Sequence, residues 1–250
     1  MKTGIYKRME TSIPSAPLVQ TGSFVLADSL KTQMAAIIKE MIFNGQLKPG
    51  DALRELHLAR KFQVSQATVR EALLELEQHG LAVRLANRST TVTRLSPGEV
   101  RDRLEIRSQL EPLACIRAAG HLQGDDFRYL GRLATKISRD HRSPNYSFYE
   151  TSLTDYQFHR YLWQKSGSTI LCATLEQVTL PLFAFIGLLR QAGLEERRPS
   201  DTHKPILEAL RSGEADPITH AVRQHFKNSY NHFLESESEN LQTLLAGQSG

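Results

Sequence analysis

Residues 43–96 read FNGQLKPGDALRELHLARKFQVSQATVREALLELEQHGLAVRLANRSTTVTRLS, and a change of period partway along decides the fold. Glu55 to Phe62 reads as a short helix, Gln63-Val64 as a break, and Ser65 to His79 as a second helix. In that second helix Val69, Leu73 and Leu76 form an apolar stripe at helical spacing. Ser65 is a natural N-cap and Gly80 a natural C-terminal stop. Beyond Gly80, Leu81, Val83 and Leu85 alternate with Ala82 and Arg84, and Thr90 to Thr93 is rich in β-branched residues, so a small hairpin is expected. Upstream, Leu26, Leu30, Met34, Ile37, Ile38, Met41 and Ile42 recur every three or four residues, an amphipathic helix that Asn44-Gly45 ends. Three short helices followed by a hairpin predict a winged helix-turn-helix over residues 24–95, with the third helix as its reading helix.

On either side the pattern differs. Residues 1–23 hold prolines and hydroxyl residues with few clustered apolar ones, which reads as a flexible tail. Leu95-Ser96-Pro97-Gly98 is punctuation, with Ser96 able to cap a helix and Pro97 suited to its first turn. From there to residue 250 the spacing is helical throughout, about 98–120, 124–141, 149–166, 168–192 with Pro181 inside, 202–212 and 216–245. The expectation is a mainly α protein, a winged helix-turn-helix followed by an all-α bundle of six or so helices.

Composition narrows the class. The 250 residues are 40% hydrophobic and 23% charged, which fits a globular chain rather than a disordered or fibrous one. The apolar run Leu180 to Leu189 is about half of what a bilayer-spanning helix needs, so no membrane span is expected. The N-terminus has no apolar stretch of the secretory kind. Cys115 and Cys172 stand far apart with no CxxC partner, which argues against a disulfide framework and for the reducing cytoplasm. The basic excess is N-terminal: residues 24–95 carry ten basic and seven acidic residues, whereas residues 96–250 carry 18 basic and 19 acidic. That asymmetry favours a polyanion at the N-terminal unit, although a few surplus charges also occur on an ordinary solvated face.

A helix that enters the major groove keeps one face in its core and aims its N-terminal residues at bases and phosphates. With Val69, Leu73 and Leu76 inside, Ser65, Gln66, Thr68 and Arg70 are left for those contacts. Gln66 has the groups to pair with adenine, and Ser65, Thr68 and Arg70 suit phosphate or guanine. LKPGDAL, the VS-x-x-T-VREAL-x-x-L core from Val64 to Leu76, and the HGL step resemble the DNA-binding domain of the GntR superfamily of bacterial transcription regulators, over residues 26–96. The resemblance implies DNA contacts at Ser65, Gln66, Thr68 and Arg70 and, at the wing tip, Asn87 and Arg88. Gln66 stands where the family usually has Arg, and Ser89 where it usually has Gly, so the operator and the wing conformation are expected to depart from the common pattern.

A second constellation lies in the helical half. Asp155 and His159 are i and i+4, so one helix face carries both. His203 shares a stripe with Ile206, Leu207 and Leu210, and His225 one with Ile218 and Val222. Four metal-competent groups from three helices thus aim at one core, where an unpaired carboxylate is costly. On spacing alone, a surface Asp-His pair with two unrelated core histidines is an equal alternative. Residues 98–235 resemble the FCD domain, the ligand-binding half of FadR-type GntR regulators. Its metal-binding subgroup carries D-x-x-x-H, H-x-x-I-L-x-A-L and R-x-H, met here by DYQFH, HKPILEAL and RQH. The resemblance implies a divalent metal on Asp155, His159, His203 and His225. Such a set suits zinc, nickel, manganese, iron or cobalt. Arg107, flanked by Leu104, Leu110 and Ala114, is expected to point inward. Its anionic partner is either Glu111 at i+4 or, as the family suggests, a carboxylate effector.

The reading that joins these features is a ligand-responsive repressor, a homodimer on a palindromic double-stranded DNA operator, binding a divalent metal and a small organic acid. Two alternatives stand beside it. One is a metal-dependent hydrolase fused to a DNA-binding module, although no general base is tied to the ligands by a motif such as HExxH. The other is an architectural DNA-binding protein whose metal is structural.

Overall fold

A computed structural model describes residues 29–86, 89–143, 147–191 and 202–235. Helices α1 (Leu30–Phe43), α2 (Glu55–Phe62) and α3 (Gln66–Gln78) precede strands β1 (Ala82–Arg84) and β2 (Thr90–Val92). Six helices follow: α4 (Pro97–Ala119), α5 (Gly124–Arg142), α6 (Phe148–Lys165), α7 (Thr169–Gln191), α8 (His203–Ser212) and α9 (Ala215–Glu235). The chain is mainly α with a two-stranded wing, as its periodicity predicts. The expected tail over 1–23, and the helical pattern beyond 235, lie outside the described residues.

Local chemistry sets the boundaries. Ser65 Oγ accepts from the Thr68 amide at 3.0 Å and caps α3. Gln63, between α2 and α3, sits in the left-handed region at φ 55°, which turns the chain sharply between the two helices. Ser96 and Glu99 cap α4 reciprocally: Ser96 Oγ accepts from the Glu99 amide at 3.2 Å, and the Ser96 amide donates to Glu99 Oε2 at 2.7 Å. Pro97 then opens the helix, where its missing N–H costs nothing.

The wing differs from its sequence pattern in two respects. Ala82 pairs with Val92 and both are buried, while Val83 and Leu85 are exposed, so the hairpin's buried face is not the one bearing its larger apolar residues. Leu81, just before β1, supplies the buried bulk instead. The second difference is that Gly50 to Leu53, where the sequence pattern indicates no strand, lie along β2. The Gly50 amide donates to the Val92 carbonyl at 2.9 Å and the Leu53 amide to the Thr90 carbonyl at 2.8 Å, with Ala52 bridging Thr91. The free edge of β2 is thereby covered.

Packing does not stop at residue 96. Met34, Ile38, Val69, Leu73 and Leu76 share one buried cluster with Tyr156 and Trp163 of α6 and Leu175, Leu180 and Phe183 of α7. A second cluster gathers Leu104, Leu130, Phe158, Leu182, Ile206 and Val222 from α4 to α9. Helix α7 serves both. Thr169–Gly187 is long and apolar enough to cross a membrane, more than the run from Leu180 alone suggests, but 72% of that stretch is buried inside the molecule as a core helix.

Candidate metal centre and nucleic-acid interface

His159 on α6, His203 at the start of α8 and His225 on α9 are all buried, and one ring nitrogen from each lies within 4.8 Å of the other two. His159 Nε2 and His203 Nε2 are 3.3 Å apart, a separation that two bonds of about 2.0–2.1 Å span at a near-tetrahedral angle. Asp155 Oδ1 lies 2.8 Å from His203 Nε2 and 3.9 Å from His159 Nε2. The four residues predicted from three separate segments therefore converge. Burial pushes the Asp155 carboxyl up, but the hydrogen bond from His203 and the neighbouring histidines outweigh it and hold it well below the usual range. Burial drives His225 the other way, well below an ordinary imidazole, which keeps it neutral and ready to donate a lone pair.

The outward-facing nitrogens explain how these rings are aimed. His225 Nδ1 is hydrogen-bonded to Thr202 Oγ1 at 2.7 Å, and its Nε2 is buried with no hydrogen-bond partner among the described residues. His159 Nδ1 lies against Glu111 Oε1, leaving its Nε2 to face the cluster. Carboxylate or hydroxyl support on the far nitrogen is how proteins orient ligating histidines, and an orphaned buried Nε2 is the kind of group that a metal satisfies. The donor set fits a divalent ion.

Arg107 stands behind this centre. It is fully buried, and its Nε donates to Glu111 Oε2 at 2.8 Å. Burial would raise the Glu111 carboxyl, but the Arg107 charge outweighs it and holds it at about 2. Arg107 Nη1 donates to the Tyr230 hydroxyl at 3.3 Å, while Nη2 is buried without a partner among the described residues. The rings of Trp163, Phe183, Phe226 and Tyr230 surround the guanidinium carbon at 4.8–5.9 Å. Of the two partners foreseen for Arg107, the structure shows Glu111, which occupies one edge of the fork.

Glu111 has a second role that its spacing from Arg107 does not reveal, because its contact with His159 bridges α4 and α6. Thr202 and Tyr230 were likewise out of reach of spacing arguments. The remaining described histidines stay outside the site: His121 Nδ1 bonds the Lys165 carbonyl and His141 Nδ1 that of Ile137.

On the reading helix, Ser65, Gln66 and Arg70 are exposed and Thr68 is half-buried, on the side away from Val69, Leu73 and Leu76. The Ser65 and Thr68 hydroxyls are 2.8 Å apart. Gln66 and Arg70 both bond Glu55 of α2, a residue that sequence spacing did not single out. Asn87 and Arg88 lie outside the described residues.

Comparison with known proteins agrees with this architecture. Residues 30–92 match the family described as bacterial regulatory proteins, gntR family, and residues 102–228 match the FCD domain. The chain is 27% identical over 210 residues to the uncharacterized HTH-type transcriptional regulator YdhC of Bacillus subtilis, covering 81% of this chain and 92% of that protein. It is 25% identical over 213 residues to the HTH-type transcriptional repressor RspR of Escherichia coli, covering 83% and 90%. Among solved structures, Escherichia coli McbR/YncC superposes with a TM-score of 0.67 at 22% identity, over 90% of this chain and all of that one. These matches are to transcription regulators and not to enzymes. The chain belongs to the GntR family of DNA-binding bacterial transcription regulators and carries an FCD domain behind its helix-turn-helix.

Proposed function

We propose that this regulator is a repressor whose C-terminal half, residues 96–250, binds one divalent metal and a small carboxylate effector, and whose residues 24–95 bind DNA. Asp155, His159, His203 and His225 hold the metal. A divalent cation that takes more than four ligands, as manganese, iron, cobalt or nickel can, would have a coordination position left for an anion beside these four residues. The observation that carries this reading is the buried Nε2 of His225, which has no hydrogen-bond partner among the described residues, in a cluster with His159 and His203. Arg107 supplies the effector's second anchor through Nη2, since a buried guanidinium nitrogen lacking an acceptor is costly until an anion reaches it.

Ser65, Gln66, Thr68 and Arg70, with Asn87 and Arg88 from the wing, contact DNA. One such head buries roughly 600–1,000 Å² of protein surface, too little for tight specific binding, so the protein acts in the cytoplasm as a homodimer on a palindromic operator. RspR, a named repressor of similar length, supports the direction of control.

Elemental analysis paired with DNA titration, in the presence of a panel of small mono- and dicarboxylic acids, tests the proposal. Arg107→Gln is expected to keep the metal and lose the response to acids, whereas His203→Ala and His225→Ala lose both. A native, metal-free protein that still responds removes the metal from the function.

A further inference from the structure

We infer that Glu55 selects the base read by Gln66, locking its amide so that the reading helix offers an acceptor to the groove. This rests on the reading above that Gln66 contacts DNA. Gln66 and Arg70 are i and i+4 on α3, so their side chains leave the same face. Glu55, the first residue of α2, reaches both: Gln66 Nε2 donates to Glu55 Oε2 at 2.9 Å, as does Arg70 Nη2 at 2.9 Å. Arg70 Nε adds bonds of 3.1 and 3.2 Å to the two carboxylate oxygens.

An ionised carboxylate only accepts. The hydrogen bond from Arg70 holds Glu55 below the usual carboxylate range, so it is ionised at neutral pH. The Gln66 amide must therefore turn its NH₂ toward Glu55 and its Oε1 away. A glutamine free to flip presents either a donor or an acceptor, whereas this one presents Oε1. In the major groove only adenine N6 and cytosine N4 are donors, while guanine O6 and N7 and thymine O4 are acceptors that repel an amide oxygen. Gln66 thus favours adenine or cytosine on the strand it faces. The same carboxylate neutralises Arg70 and occupies two of its nitrogens, which curbs attraction to any phosphate regardless of sequence. Glu55 is a positioning residue for specificity, at a surface site where an ion pair adds little to stability.

The test uses the full chain and a pool of duplexes with a randomised core, selected and sequenced, followed by titration of duplexes differing at one base pair. The parent protein is expected to select adenine or cytosine at the position in each half-site that Gln66→Ala makes degenerate. Glu55→Ala should admit guanine and thymine at that position, cutting a discrimination of about tenfold or more to near unity. It should also bind non-specific duplex as well or better, with the slope of log K against log salt steeper by about 0.9 as Arg70 becomes free to meet a phosphate. Glu55→Gln offers the Gln66 amide either a donor or an acceptor and so no longer fixes it; it should relax the base preference as Glu55→Ala does, and likewise steepen the slope. A misfolded head would instead lose affinity for every duplex, which circular dichroism would expose, and Glu55→Gln then carries the comparison. If Gln66→Ala makes a position degenerate but Glu55→Ala leaves adenine or cytosine preferred there, or if the parent selects guanine or thymine, the inference is wrong. If Gln66→Ala changes no position, the contact itself is misassigned and the inference falls with it.

Discussion

A Cβ added to Gly80 would lie 3.0 Å from the carbonyl oxygen of Gln177 and 3.2 Å from Pro181 Cγ. The end of the reading helix therefore meets the middle of α7 through backbone, with φ +71° at the glycine. Arg103 of α4 donates to the same Gln177 carbonyl at 2.9 Å, so three elements from both halves of the chain share one point. Phe183, farther along α7, packs at 5.6 Å from the Arg107 guanidinium.

Gly80→Ala is expected to destabilise the protein by about 1–3 kcal/mol, through both the positive φ and the contact with α7. Gly213 is the control, since its φ is +70° but nothing lies within 4 Å of its added Cβ. Gly213→Ala should cost only the backbone part. Urea unfolding of the two variants measures the difference, and equal losses would mean that the close approach to Gln177 contributes nothing.

Lys39 of α1 lies 4.7 Å over the Tyr156 ring, among Glu176, Arg160, Glu75 and His79, and burial lowers its ammonium to about 8. An unfolded lysine holds its proton to about 10.4. Between those values the unfolded state binds more protons, so stability should rise with pH from about 8 to about 10. Lys39→Met should flatten that rise and raise stability at pH 7 by on the order of 1–3 kcal/mol. Thermal unfolding across the pH range decides it.

Thr202→Val removes the hydroxyl that orients His225 without touching a ligand. Metal affinity should fall about 10–100-fold while the fold persists, the usual cost of losing an outer partner of a ligating histidine. Competition with a chromogenic chelator reads this directly, and unchanged affinity would show that the Thr202 bond does not aim the ring.

Glu111→Ala leaves the Arg107 charge buried alone and should cost about 3–5 kcal/mol. Replacing both, Arg107→Met with Glu111→Leu, should cost less than the single change, since no charge is stranded. The Glu111 carboxyl titrates at about 2 in the folded protein, so its contribution is complete above its unfolded pKa and is lost as pH falls toward 2. Acid unfolding of the double variant should lack that component.

Much of this protein is legible in one dimension. The 3.6-residue stripes on α1 and α3, the caps at Ser65 and Ser96 and the period-2 stretches of the wing are local properties, fixed by backbone sterics and by hydrogen bonds spanning three or four residues. Histidine and aspartate spacing, read with the family motifs, also pointed to Asp155, His159, His203 and His225, because a helix face is set by spacing alone. What spacing could not supply was every relation between faces. The bonds from Glu55 to Gln66 and Arg70, the contact of Glu111 with His159, the bond from Thr202 to His225 and the seating of Gly80 on Gln177 each join elements remote in the chain. So does the burial of α7 between two cores. These depend on how helices cross and on which side chain fills the gap, and the packing of the whole molecule, not any local pattern, decides that.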